Sequence, residues 1–301
     1  KPVITIDDGM DLIHRLHTAR QDILPGVIGG CEETTTGIHR LRAMASEGKL
    51  KFPVIAVNDT PMKHFFDNVH GTGESALTAI MATTNSLIAG KWIVVAGFGY
   101  CGRGLARKAA ALGAKVIVTE IDPRYALEAY MDGFHVMSMK EAAPVGDIFI
   151  TTTGNRDVIT GEHMACMKSG AILSNAGHFN IEIDGTWLTA HARSVEERDG
   201  IQSYWIGDKV IHLLAEGRLV NLAVPKGMGH PIEVMDLSFA IQALSAEYIA
   251  LHHSGLKPAV HDVPDEIDRA VASLKLSSLG ISIDVLSKDQ KEYMESWDHG
   301  T

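Results

Sequence analysis

The sequence predicts an α/β protein in which a Rossmann-type, doubly wound parallel sheet is inserted in a second α/β domain. Three observations lead there. Short apolar runs alternate with helical stretches between residues 92 and 173, a glycine-rich turn follows the first of these runs, and segments of different texture flank the region on both sides. Strands of a parallel sheet are covered on both faces, so they read as unbroken apolar runs. At 301 residues the chain is about twice an ordinary domain, which accommodates two.

Taken in order, Val3-Ile4-Thr5-Ile6 reads as a strand, close behind a first residue, Lys1, that is not Met. Asp8-Gly9, Pro25-Gly26, Gly29-Gly30 and Pro53 read as turn signals, residues 39–47 as a short helix and 54–57 as a buried strand. A long helix is expected over 75–89, stopped by Gly90. Strands follow at 92–96 and 116–119, with a helix over 105–112 closed by Gly113 and another opened by Pro123 through Ala129. Val136, 148–150 and 171–173 supply further strand cores, with helical turns near 138–143 and 160–167. The alternation breaks near Gly177; 202–214 reads as a hairpin around Gly207-Asp208, and 231–252 as one long helix. The domains expected are a dinucleotide-binding unit at 74–229, a second unit made of 1–73 and 230–280, and a tail at 281–301.

Composition narrows the function classes. The chain has 27 basic and 37 acidic residues, a balance of −10, which argues against a protein that coats nucleic acid. A hydrophobic fraction of 46% with 6% aromatics suits an aliphatic α/β core rather than a disordered chain. Cys31, Cys101 and Cys166 form no CxxC pair, which fits a reducing compartment and no cysteine-type zinc site. The close histidine pairs His14/His17 and His252/His253 lack ligand partners, so no metal is expected. The N-terminus shows no signal-peptide pattern and no uncharged apolar run reaches the ~18 residues of a membrane span. The expectation is a soluble cytoplasmic protein.

Gly97-Phe98-Gly99-Tyr100-Cys101-Gly102 is a GxGxxG in full context: an apolar strand before it, a helix after it, and Glu120 at the end of the next strand. Glycines there permit a tight turn, close approach of a pyrophosphate and tight helix–strand packing. The helix N-terminus then offers free N–H groups to the phosphates. A carboxylate at Glu120 suits ribose hydroxyls and repels a 2′-phosphate, so NAD is expected rather than NADP. Polar residues also gather at Asp7-Asp8, Glu32-Glu33, Thr34-Thr35-Thr36, Asn58-Asp59, Lys63 and Asp67-Asn68. Each could be an ordinary turn or solvated surface, but Lys63 and Asp67 are four apart and would share a helix face. His178, in Asn175-Ala176-Gly177-His178-Phe179, follows a strand's carboxyl end, where open parallel sheets bind ligands. His230, in Gly227-Met228-Gly229-His230-Pro231, sits at a crossover and could line a cleft or be structural.

Together these segments resemble S-adenosylhomocysteine hydrolase. The likeness rests on Asp7-Asp8-Gly9, Glu32-Glu33-Thr34-Thr35-Thr36-Gly37, Asn58-Asp59 with Lys63, Phe66-Asp67-Asn68, the glycine turn with Glu120-Ile121-Asp122-Pro123, and Gly177-His178-Phe179. Leu214-Ala215-Glu216-Gly217-Arg218-Leu219-Val220-Asn221-Leu222 and Gly229-His230-Pro231 complete it. The resemblance implies reversible hydrolysis of S-adenosyl-L-homocysteine to adenosine and homocysteine. In that family the ribose 3′-hydroxyl is oxidised transiently with NAD, the C4′ proton becomes acidic, homocysteine is eliminated, water adds, and the ketone is reduced back.

By the same resemblance, Lys63 and Asp67 handle the 3′-hydroxyl proton, Glu33 anchors the ribose hydroxyls, Asp8 lies near C4′, and His178 and Asn58 adjoin the ribose. Thr34, Thr35, Thr36, Asn68, Glu120, Thr153 and Asn221 join Gly97, Gly99 and Gly102 as NAD contacts, and His230 gates the cleft. A homotetramer in the methionine cycle is the family expectation. Departures are Thr72 where many members have Cys, a longer link at 223–226, and a short archaeal-type tail, some of whose owners prefer the inosyl thioether. The largest is at the front: members carry over a hundred residues before Asp-Asp-Gly, so the start at Lys1 reads as a cut edge. A non-catalytic NAD-binding homologue, or another enzyme using 3′-oxidation, are the competing readings.

Overall fold

A computed structural model describes residues 3–297, so Lys1, Pro2 and residues 298–301, with the expectations that fall on them, lie outside the description. The chain opens with β1 (Val3–Asp7), α1 (Asp11–Thr18), β2 (Val27–Glu32), α2 (Thr35–Ser46) and β3 (Val54–Ala56). The short α3 (Pro61–Lys63) runs into a π-helix, His64–Gly71, and then into α4 (Thr72–Thr84). Next come β4 (Trp92–Ala96), α5 (Tyr100–Ala111), β5 (Lys115–Thr119), α6 (Pro123–Met131), β6 (His135–Val136), α7 (Met139–Ala142), β7 (Ile148–Thr151), α8 (Gly161–Cys166) and β8 (Ala171–Asn175). After α9 (Gly185–His191) the strands β9 (Ser194–Arg198), β10 (Ile201–Ile206) and β11 (Lys209–Leu214) precede α10 (Val220–Ala223) and α11 (Ile232–His252). β12 (Val260–Asp262), α12 (Asp265–Ser278) and α13 (Lys288–Glu295) close the described chain.

Two sheets result. The larger runs β6-β5-β4-β7-β8-β11-β10-β9, and its six strands from β6 to β11 are parallel. In chain order this is the dinucleotide-binding arrangement, with the reversal of direction between β4 and β7. The smaller sheet, β1-β2-β3-β12, is also parallel and takes its last strand from beyond α11. The chain thus leaves the small sheet, completes the large one, and returns. Both faces of the large sheet are covered, as the alternation along β4 shows: Ile93 and Val95 join the core with Leu77, Ile80 and Leu105, while Val94 joins Ile117, Phe149 and Leu173 on the other side. Each such side chain contributes ~1.5–3 kcal/mol by leaving water.

Several local expectations are corrected. Gly29-Gly30 is no turn: both lie inside β2, where a Cβ on Gly29 would stand 2.5 Å from Ile249 Cγ2 and one on Gly30 2.3 Å from Thr5 Oγ1. Their bareness lets α11 and β1 come close. The 39–47 helix begins four residues earlier at Thr35, with Thr34 as its extended N-cap. The strand at 54–57 stops at Ala56, and Val57 starts a 3₁₀ turn. The 75–89 helix runs instead from Thr72 to Thr84 and ends on Asn85 in the left-handed region, φ 51°. The 105–112 helix starts at Tyr100. β9 went unforeseen because all five of its residues are exposed and carry no apolar signal. The stretch from Ile232 to Gly255 is long and apolar enough to cross a membrane by length and composition. Here α11 packs one face against β2, the π-helix and α12, with Leu237, Ser238, Ile241, Gln242, Ser245 and Ile249 buried, and leaves Ile232, Phe239 and Leu251 exposed.

A close approach of α5 to the π-helix is among the contacts that join the two halves. A Cβ on Gly104 of α5 would stand 1.8 Å from the Val69 carbonyl oxygen of the π-helix. Gly104→Ala is therefore expected to push α5 off the π-helix at a cost of about 1–3 kcal/mol, read as a lower denaturant midpoint with unchanged slope.

Candidate active site and cofactor cleft

β2 ends on one acid, Glu32, and a second, Glu33, follows it directly; the two have different tasks. Glu32 is fully buried and accepts from the backbone N–H groups of Gly9 (2.7 Å), Met10 (3.0 Å) and Thr34 (3.1 Å), which pins the loop after β1. Burial outweighs these bonds and lifts its carboxyl to about 7. Glu33, one residue on, points to the other side and meets Lys63, whose Nζ is 3.5 Å from Glu33 Oε1 and 3.0 Å from Asp67 Oδ1. Lys63 is 5% exposed and Asp67 2%. The local cause is the π-helix that follows Lys63: an eight-residue widening of this kind is rare and favours functional sites, and here it carries Asp67 and Asn68 inward.

Three more groups complete the cluster. His230 Nδ1 lies 3.0 Å from Asp67 Oδ1, and Ser238 Oγ donates to Asp67 Oδ2 at 2.7 Å. Gln242 Nε2 donates to Glu33 Oε2 at 2.5 Å. Burial alone would raise Asp67, but the His230 bond, the charges of Lys63 and His230 and the Ser238 bond hold it well below the usual carboxylate range. For Glu33 burial wins over Lys63 and Gln242, so its carboxyl is raised. Burial would lower Lys63, yet Asp67 and Glu33 together raise it, so it is an ammonium at neutral pH.

Beside this cluster opens a cleft of about 740 Å³. It lies at the carboxyl ends of β4, β5, β7 and β8, between them and the N-terminus of α2. Gly97, Gly99, Glu120, Thr153 and His178 line it from one side and Thr34, Thr35, Thr36, His64 and Asn68 from the other. Gly97 has φ 94°, a conformation for which glycine is suited. A Cβ on Gly99 would meet nothing within 4 Å, so the approach to the α5 N-terminus is open. Gly102 plays the packing role, since a Cβ there would stand 2.0 Å from the Gly97 oxygen. Glu120 accepts from Phe98 N–H (2.6 Å), Ile121 N–H (2.7 Å) and Asp122 N–H (3.1 Å), holding the turn shut with its carboxylate on the cleft wall. These residues fit a dinucleotide: open phosphate-binding N–H groups at one end of the turn and a ribose-directed acid at the other.

The expected site residues fall in three places. Glu33, Lys63, Asp67 and His230 form the buried cluster, and the glycine turn and threonines form the cleft. Asp8 and His178 meet at 3.7 Å between Oδ1 and Nδ1, where the β1 loop touches the loop after β8. Asn58 stands between, donating to Thr35 Oγ1 at 2.8 Å. Asn221 is the exception: it is buried away from the cleft, donates to Ser75 Oγ at 3.0 Å and joins α10 to α4. Its Oδ1 has no hydrogen-bond partner among the described residues and stays available for the expected contact.

Four residues with functional placement escaped sequence reasoning as site members. Ser238 and Gln242 are polar positions at i, i+4 on a helix that carries several other polar residues, so nothing local singles them out. Glu182 accepts from Thr153 N–H, Thr153 Oγ1 and Gly154 N–H and so fixes the cleft loop after β7. Asn175 holds the His178 loop through the carbonyls of Gly177 and Phe179. Neither announces itself by spacing.

The raised Glu32 has a measurable consequence. Between its ordinary value of 4.5 and about 7 the folded protein holds a proton at Glu32 that the unfolded chain has released. Stability therefore falls as pH rises through that window, by at most ~1.4 kcal/mol per pH unit for one group. Glu33 and Glu182, also raised, add to the slope, whereas the depressed Asp67 acts at lower pH. Glu32→Gln is expected to lose stability overall but to flatten this slope by up to one proton, measured by denaturant titrations across the window.

Comparison with known proteins accounts for this arrangement. Residues 68–227 match the family described as S-adenosyl-L-homocysteine hydrolase, NAD binding domain. The chain is 59% identical over 302 residues to S-inosyl-L-homocysteine hydrolase of Methanocaldococcus jannaschii, covering 100% of this chain and 72% of that protein. It is 57% identical to adenosylhomocysteinase of Haloquadratum walsbyi, covering 100% of this chain and 70% of that protein. For adenosylhomocysteinase of Archaeoglobus fulgidus the values are 55%, 100% and 74%. With the glycine turn, Glu120 and most of the cleft inside the matched segment and the identity extending over the whole chain, this protein belongs to the S-adenosyl-L-homocysteine hydrolase family and carries its NAD-binding domain.

Proposed function

We propose that this NAD-dependent enzyme hydrolyses a purine-nucleoside thioether of homocysteine, reversibly, by transient oxidation of the ribose 3′-hydroxyl. The observation that carries the reading is the Lys63 ammonium buried between Glu33 and Asp67 beside a dinucleotide cleft. A binding-only homologue has no use for a buried, charged acid/base cluster, whose desolvation is costly. The chemistry NAD supplies when bound is a reversible two-electron oxidation at the ribose 3′-carbon.

The chain's residues supply the rest. Ribose hydroxyls are held by Glu33, which takes one carboxylate away from Lys63, so that the ammonium gives its proton to solvent in the cleft and becomes a neutral amine. Lys63 then receives the 3′-hydroxyl proton, and Asp67 with His230 orients it. Asp8 and His178, across the cleft mouth, serve proton transfer at C4′ and at the departing thiol. The apolar walls and the contact between the β1 and β8 loops exclude water while the sugar is oxidised. We assign 1–73 and 230–280 to the nucleoside-holding unit, 74–229 to the NAD-holding unit and 281–301 to a tail. Named relatives act on either the inosyl or the adenosyl thioether at similar identity, so both are candidate substrates.

The test is release of homocysteine thiol from S-adenosyl- and S-inosylhomocysteine by the NAD-loaded protein. Turnover of either supports the reading; inertness toward both overturns it. Lys63→Met is expected to lower the rate by roughly 100-fold or more with NAD binding retained. We further propose a cytoplasmic homotetramer. Support comes from the free cysteines and from the exposed apolar residues Ile281, Ile283, Val285, Tyr293 and Met294. Light scattering at several protein concentrations is expected to give four times the chain mass, and a monomer would refute the assembly.

A further inference from the structure

α11 is the most apolar long helix of the protein, yet its buried face carries Ser238, Gln242 and Ser245. The first two do something specific. Each of the carboxylates that hold Lys63 offers one oxygen to the ammonium and the other to α11. Asp67 turns Oδ1 to Lys63 and receives Ser238 on Oδ2; Glu33 turns Oε1 to Lys63 and receives Gln242 on Oε2. Ser238 and Gln242 are one helical turn apart, so a single rigid face addresses both acids. Gln242 spends only its amide donor, since its Oε1 has no hydrogen-bond partner among the described residues. Burying that oxygen unpaired costs free energy that an apolar side chain of the same shape would avoid.

We propose that Ser238 and Gln242 are positioning residues of the acid/base cluster: they lock the rotation of Asp67 and Glu33 so that one oxygen of each faces Lys63. This deepens, and rests on, the hydrolase reading above. Without the α11 donors each carboxylate can rotate, and the lysine loses the fixed placement that proton transfer from a hydroxyl requires. α11 leads directly from the crossover bearing His230, whose Nδ1 also faces Asp67. One helix therefore aligns the histidine and both carboxylates. The charged and titratable groups facing the pair are Lys63, Glu33 and His230, with Asp8 and Cys101 further off. The acids of α11 itself, Glu233, Asp236 and Glu247, lie on its exposed face.

The experiment compares wild type, Ser238→Ala, Ser238→Thr and Gln242→Met as NAD-loaded full chains. For Ser238→Ala and Gln242→Met we expect kcat about tenfold lower with KM within about twofold, as for a lost hydrogen bond to a charged group. The Asp67 carboxyl should titrate higher in Ser238→Ala, because it loses a bond that favours its charged form. Ser238→Thr should restore both. A second readout needs no turnover: carboxyl-carbon NMR of the cofactor-free protein should show the Asp67 midpoint raised in Ser238→Ala and restored in Ser238→Thr. An unmoved Asp67 midpoint, or activity lost only in step with thermal stability, overturns the inference. Wild-type inertness toward both thioethers would instead sink the hydrolase reading, and the NMR titration would still decide this one.

Discussion

Everything around the site is arranged to keep one ammonium out of water. A buried lysine is tolerated only when its charge is matched, and a single carboxylate at the end of a flexible side chain seldom suffices. Lys63 has two, Glu33 from the end of β2 and Asp67 from the π-helix, at 3.5 and 3.0 Å. Those acids in turn are satisfied from a third direction by α11 and its crossover. Four segments distant in sequence, at residues 33, 63–67, 230 and 238–242, are thereby tied to a single point. The bare Gly29 of β2 is part of the same construction, because it lets α11 lie close against the strand that leads into Glu33.

The cofactor cleft follows a different rule. Its contacts are largely backbone and its side chains are mostly braces: Glu120 closes the glycine turn, Glu182 fixes the 153–154 loop and Asn175 fixes the His178 loop. Such braces leave N–H groups of the α5 N-terminus free to meet an anion. The two regions meet at the π-helix, where Asn68 donates to Cys101 Sγ at 3.4 Å and Gly104 lies against Val69. This shared wall sets the distance between the buried cluster and the cleft.

The carboxyls divide by task in their proton affinities. Asp67 is driven down and stays charged, while Glu32, Glu33 and Glu182 are lifted by burial. Glu32 and Glu182 look inward at backbone N–H groups and work as loop anchors. Glu33 is the one raised acid that also faces Lys63, which suits a group that exchanges hydrogen bonds with a hydroxyl.

Sequence by itself determined the parallel sheet, the glycine turn with its acid, and the pairing of Lys63 with Asp67. Each is local: strand burial on both faces, a fixed turn geometry, or a spacing of four on a helical segment writes itself into neighbouring residues. Tertiary structure decided the rest. Gly29-Gly30 reads as a turn until α11 is seen to cross Gly29 and β1 to lie against Gly30. His230 could line a cleft or be structural; its ring lies 3.0 Å from Asp67, inside the acid/base cluster. Ser238 and Gln242 are unremarkable polar residues on a helix unless the helix is placed over two carboxylates. Hydrogen bonds between segments two hundred residues apart have no local signature, because the chain between them can take any course until the packing of the sheets fixes one.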